Sequence, residues 1–179
     1  MKKRNSRIIF GSLIAVLGTA LVFSSTYAQA TPMSEAQKAS IRTSCVSAKN
    51  TLSQLRASDA LLRVNRGQLY LSLSSKLIHR FNDRASSNQL DISGLQSVTQ
   101  NYDAMTAAFA TDYKVYSEQL ANTINIDCNK DPEGFYNAIA LARTQRSQVH
   151  GDIMRLNQYI DDYSTVFAVF VNAEVAGKK

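Results

Sequence analysis

The chain has 179 residues, 45% of them hydrophobic and 19% charged, with 20 lysines and arginines against 14 aspartates and glutamates for a net charge of +6. That is enough apolar material for one domain with a core, and only two prolines and seven glycines are available to break helices. The excess of positive charge is concentrated at one end, which weakens any argument for a nucleic-acid partner.

Residues 1–30 read as an export signal. Lys2, Lys3, Arg4 and Arg7 precede an apolar run over 8–23, and Ala28-Gln29-Ala30 sets small residues where a signal peptidase cuts, before Thr31. The run's 16 residues fall short of the roughly 20 that span a bilayer as a helix. An uncleaved anchor is the alternative, and membrane contact is expected only through this segment. It carries four basic residues and no acidic one, so the remainder holds 16 against 14, a net of +2. The high pI is therefore partly an export feature, and no nucleic acid is expected as a partner.

Residues 31–179 are expected to form a single all-α domain of three helices, at about 34–87, 92–127 and 131–175. In the first, Ile41, Cys45, Ala48, Leu52, Leu55, Leu62, Leu69, Leu73, Leu77 and Phe81 recur at steps of three and four or their sums, the seam of an amphipathic helix. Ser34 can cap its start. In the second, Ile92, Leu95, Val98, Tyr102, Met105, Phe109, Tyr113, Tyr116 and Leu120 point inward. The third runs from Phe135 through Ile139, Ala142, Arg146, Val149, Ile153, Leu156, Ile160, Tyr163 and Phe167 to Phe170 in unbroken steps of four and three. A period of 3.5 implies left-handed, coiled-coil-like packing. Short connections make successive helices antiparallel, which gives an elongated up-down-up bundle roughly 70–80 Å long. The first helix carries a net +6 and meets helices of net −4 and −3, so charge favours this arrangement.

The corner Asp127-Cys128-Asn129-Lys130-Asp131-Pro132-Glu133-Gly134 superficially resembles a calcium loop. Pro132 stands where that loop needs glycine, and Ala138 where it needs a bidentate glutamate, so no metal is expected. A helix start accounts for more of it: Asp131 as N-cap, Pro132 at the first helical position, and Glu133 beside the positive end of the helix dipole. Two cysteines in an exported chain favour a disulfide, here Cys45 with Cys128, over two free thiols. A catalytic thiol would want a histidine, and His79 and His150 fall far along the rod.

Arg146 interrupts an apolar seam, so its guanidinium needs a carboxylate or water. Aligning the helices from their shared corner brings Asp59 and Arg63 level with Tyr116, Glu118, Arg143 and Arg146. We expect a polar layer there, with Asp59 pairing to Arg143 or Arg146, either as a register-setting network or as a ligand site. Gly67 is expected to admit a close helix approach. Val166, Phe167, Val169, Phe170 and Val171 lie in a stretch apolar on every face. It either packs beneath the corner near Phe81 and Ile92 or forms a contact patch.

Cys45, the run Asp59-x-x-x-Arg63-x-x-x-Gly67-x-x-Tyr70, Phe81-Asn82, Ile126-Asp127-Cys128 and Pro132-x-x-Phe135-Tyr136 together resemble a group of small exported helical proteins of candidate-phyla bacteria of the Saccharibacteria type. The likeness spans roughly 41–163. It implies an exported α-helical architecture and a Cys45–Cys128 pair, and it brings no catalytic residues. The chain departs from that pattern in a shorter polar run before Cys45 and in Asn129, where a lysine is usual.

The expected role is a disulfide-stapled structural or interaction module at the cell surface, engaging a protein partner or a second copy. An extracytoplasmic ligand-binding or chaperone-like protein, using the polar layer, is the alternative. No catalysis and no cofactor are expected, because no nucleophile–base or metal spacing survives inspection.

Overall fold

The structure is a computed structural model that describes residues 32–176. The chain divides into Met1–Pro32 and Met33–Lys179, and every helix below belongs to the second unit. The export signal, with Ala28 and Ala30, lies outside the described residues.

The described chain is all-α: α1 (Glu35–Leu73), a π-helical turn (Ser74–Ile78), α2 (His79–Ser87), α3 (Ser93–Asn125) and α4 (Pro132–Ala176). α1 opens on a reciprocal cap. The Ser34 hydroxyl accepts from the Gln37 amide at 3.3 Å and the Gln37 side chain accepts from the Ser34 amide at 2.8 Å, which satisfies two amides that the helix itself leaves free.

The π turn was not legible from the spacing, which suggested one regular helix over 34–87. Its cause is visible on α3. The Asp103 carboxylate accepts from the Ser74 hydroxyl at 2.7 Å and meets His79 Nε2 at 2.8 Å. One carboxylate thus holds two residues five apart, and the His79 amide donates to the Ser74 carbonyl. The wider turn holds an extra residue and shifts the phase of everything beyond it.

At the next corner Gln89 adopts φ 61°. Its amide donates to Ser86 and the Leu90 amide to Ala85, the Schellman pattern that closes a helix C-terminus. Asp91 then accepts from the Ser93 amide at 3.0 Å. α4 begins where Asp131 accepts from the Gly134 amide at 2.8 Å. That carboxylate occupies the space a Cβ on Gly134 would need, so glycine and cap belong together.

Buried residues of α3 recur as Leu95, Thr99, Tyr102, Thr106, Phe109, Tyr113, Tyr116, Leu120 and Thr123, in regular steps of four and three. Thr99 and Thr106 take inward positions that hydrophobicity alone assigns to Val98 and Met105, both only half-buried. Their hydroxyls donate to the carbonyls of Leu95 and Tyr102 at 2.7 and 3.0 Å. With its polar atom satisfied within its own helix, each threonine behaves as a small apolar residue.

The seam expected on α1 requires correction. Leu62, Leu69 and Leu77 are 50%, 62% and 63% exposed. Beyond Leu52 the inward face is instead Asp59, Tyr70, Ser74, Ile78, Asn82 and Ala85. Polar residues hold that face through bonds across the interface: Asn82 donates to Thr99 at 2.8 Å, and Tyr163 donates to Asn82 at 2.9 Å. Tyr102 donates to the Tyr70 carbonyl at 3.1 Å.

α3 packs along α4 throughout, whereas α1 leans on α4 far less. Asp152 is fully buried on α4 and was not anticipated, although it stands three and four residues from the buried Val149 and Leu156. Gln148 donates to one of its oxygens at 3.3 Å, and the other has no partner among the described residues. Burial, then the Asp112 carboxyl on α3, push the Asp152 carboxyl up to about 6, against the attraction of Arg155. The folded protein therefore holds a proton here that the unfolded chain releases near pH 4. Asp152's contribution to stability falls as pH rises from about 4 through 6, then stays lower. Asp152→Asn should stabilise by roughly 1–2 kcal/mol at pH 7 and by little at pH 4. Urea midpoints at the two pH values measure this, and an equal shift at both would refute it.

Candidate functional site

At the base of the molecule Cys45 and Cys128 form a disulfide with Cα atoms 5.8 Å apart, closing a sequence separation of 83 residues. Both half-cystines are buried with Phe135, and Ile41, Ile126 and Ile139 pack around them. Arg42 adds a bond from its guanidinium to the Asn129 carbonyl at 3.1 Å. The corner's acidic oxygens are occupied locally: Asp127 accepts from the Asn129 amide at 3.1 Å, and Asp131 caps α4. Among the described residues no group of His, Cys, Asp or Glu is arranged to hold a metal.

One level up lies the polar layer. Asp59 Oδ2 accepts from the Tyr116 hydroxyl at 2.7 Å and from Arg146 Nε at 2.8 Å, while Oδ1 accepts from Arg146 Nη2 at 3.2 Å. This is a two-pronged pair, the geometry for which guanidinium suits carboxylate. Asp59 is 10% exposed and Arg146 51%, so the carboxylate is enclosed while the guanidinium reaches water. Burial raises the Asp59 carboxyl, but the bonds from Arg146 and Tyr116 outweigh it and hold it below the usual carboxylate range. Burial and the same carboxylate push the Tyr116 hydroxyl far up.

The other residues expected in this layer divide. Arg63 lies over the Tyr113 ring, 5.0 Å from its centroid, a cation–π contact. Arg143 is exposed and takes no part in the Asp59 pair. Glu118 is exposed too, 3.9 Å from Lys114 on its own helix. Gly67 is not a close-approach site: a Cβ there would meet Phe109 at 3.9 Å, an ordinary contact. The glycine at a tight approach between helices is Gly94, where a Cβ would stand 3.2 Å from Val166.

The apolar stretch near the end of α4 is split. Phe167 and Phe170 meet Phe81 edge-on at 4.9 and 5.6 Å, and Val166 faces Gly94. Val169, 66% exposed, and Val171 face outward. The aromatic half thus belongs to packing beneath the connection between α2 and α3.

What the spacing did not reveal is a cleft between α1 and α4. Above the disulfide it holds a cavity of about 470 Å³ lined by Leu52, Leu55, Tyr116, Ile139, Arg143 and Arg146. Beyond the Asp59–Arg146 pair follows one of about 380 Å³, bounded by Leu62, Arg63, Arg66, Tyr113 and His150. A third of about 370 Å³, almost wholly apolar, opens beside Leu73, Leu77, Phe81, Ile160 and Tyr163. The ion pair is a bridge across this cleft. The spacing carries no separate signal for it, because Asp59 and Tyr70 stand three and eight residues from Leu62, steps that one seam also contains.

Fold and site together define an all-α protein with a covalent staple at one end and a partly open apolar cleft along one side. The chain matches no family model, no curated protein and no solved structure.

Proposed function

We propose that this protein is an exported interaction module whose recognition surface is the cleft between α1 and α4. The helices act as an up-down-up three-helix bundle with coiled-coil-like packing, and the disulfide fixes one end of the cleft. The disulfide supports an oxidising, extracytoplasmic setting, and among the described residues no helix is long and apolar enough to cross a membrane. The observation that carries the reading is the exposure of Leu62 and Leu77, which line two of the cavities, and of Leu69, which stands between them in the sequence. Exposed leucines that border a groove are the kind of surface that marks contact sites. A second reading, an extracytoplasmic ligand-binding protein, draws on the cavity that Tyr116, Arg143 and Arg146 line. Neither reading requires catalysis or a cofactor.

A photo-crosslinking amino acid placed at Leu62, and separately at Val115 on α3, tests the assignment in the producing cell. Adducts from position 62 that are absent from 115 are the expected result. Equal yields, or adducts from 115 alone, would move recognition to another face.

A further inference from the structure

The cleft's walls carry a repeat that speaks to the shape of what fills it. On α1, Ala48, Leu55, Leu62 and Leu69 stand seven residues apart, and Leu77, inside the π turn with its extra residue, follows eight later. On α4, Ile139, Arg146, Ile153, Ile160 and Phe167 keep the same seven-residue spacing. Two walls ridged at one heptad period accept a third set of knobs of that period, which is the surface of another α-helix. The ridges from Ala48 to Phe81 extend about 50 Å, far longer than a single acyl chain or small ligand and suited to a helix of roughly 30 residues.

The middle of the cleft also has a sign. Arg63, Arg66, Arg143, Arg146 and His150 line it, with Asp59 the one acidic lining residue. Asp59 is bound to Arg146, and among the described residues no carboxylate pairs with Arg63, Arg66 or Arg143. Resting on the reading of this cleft as the binding face, we propose that it seats a fourth helix contributed by another protein, amphipathic, heptad-patterned and acidic along its flanks. A second copy of this chain is a poorer occupant. The helix with a free leucine row is α1, and residues 34–88 carry nine basic and three acidic side chains, so two copies of α1 would repel. The incoming helix places leucines between the α1 and α4 ridges, and its flanking glutamates meet the three unpaired arginines.

The test uses the full-length chain and two labelled synthetic helices of roughly 28 residues, both with leucine at positions a and d, one with glutamate and one with lysine at e and g. Fluorescence anisotropy should give saturable binding of the glutamate helix and at least about tenfold weaker binding of the lysine helix. Leu62→Asp with Leu69→Asp, exposed positions at which the helical circular-dichroism spectrum should stay intact, should weaken the glutamate helix at least about tenfold. Arg63→Glu, Arg66→Glu and Arg143→Glu together should reverse the preference between the helices. Equal affinity for both helices, or no reversal, overturns the acidic partner while leaving the cleft as a binding face. Binding unaffected by the leucine variants overturns the cleft reading as well. Failure of both helices to bind overturns the proposal, as does a sedimenting dimer that Leu62→Asp dissociates, which would make a second copy the occupant.

Discussion

Alanine at both Cys45 and Cys128 is expected to lower the unfolding free energy by about 4–5 kcal/mol, the chain-entropy value for so long a closed loop. The disulfide separates its halves by 83 residues, so it excludes most expanded conformations of α1 to α3 from the unfolded ensemble. Against the 5–15 kcal/mol that typical domains possess, that loss leaves little in hand. The double alanine variant is the suitable comparison, because a single substitution strands a thiol in the buried cluster around Phe135. Guanidinium unfolding followed by circular dichroism should give a much lower midpoint for the variant. Wild-type protein under reductant should fall close to it. A difference below about 1 kcal/mol would show that the unfolded chain is already compact in this region.

The second large effect is asymmetric. Arg146→Ala should cost roughly 2–4 kcal/mol and Asp59→Ala only about 1–2 kcal/mol, since removing one partner of a buried pair harms most when the survivor stays buried and charged. Without Arg146 the Asp59 carboxylate keeps only the Tyr116 hydroxyl. Without Asp59 the half-exposed guanidinium of Arg146 turns to water. The pH dependence follows from the lowered Asp59 carboxyl. A carboxylate with its folded value depressed contributes stability above its unfolded value, near 4, and loses it as pH falls through the folded value. The Arg146→Ala penalty should therefore be full at pH 7 and shrink below about pH 4, where protonation relieves the stranded charge. Equal penalties for the two alanines would mean that Asp59 gains water on losing its partner.

Helix number, the Asp131–Pro132 start of α4 and most of the inward row of α4, Asp152 excepted, were legible because they depend on local rules. Capping residues declare themselves over a few positions, and a 3.5-residue period sustained from Phe135 to Phe170 leaves few alternatives. The inward face of α1 was not legible, because leucine is the stronger apolar signal and tertiary bonds decided against it. Asp59, Ser74 and Asn82 each have a partner on another helix that no single-helix pattern contains. Asp103 exerts its hold on the π turn from a different helix, so that irregularity too was hidden. In the candidate site, Asp59, Tyr116 and Arg146 came from aligning helix heights. The cleft itself emerged only once the leucine row was seen to face outward.

The disulfide lies at one end of the helical assembly, and aromatic contacts around Phe81 stand at the other. Opening is therefore directional. Near Cys45, α1 cannot leave the start of α4 without breaking a covalent bond, whereas near Phe81 α2 leaves α4 by separating three rings and the Tyr163–Asn82 hydrogen bond. Opening at the far end breaks no covalent bond and is the cheaper fluctuation, which would give the molecule the mechanics of a clothes peg, fixed at its base and lightly closed at its jaws. A long guest threading in from the jaws would meet its firmest grip last, beside the staple.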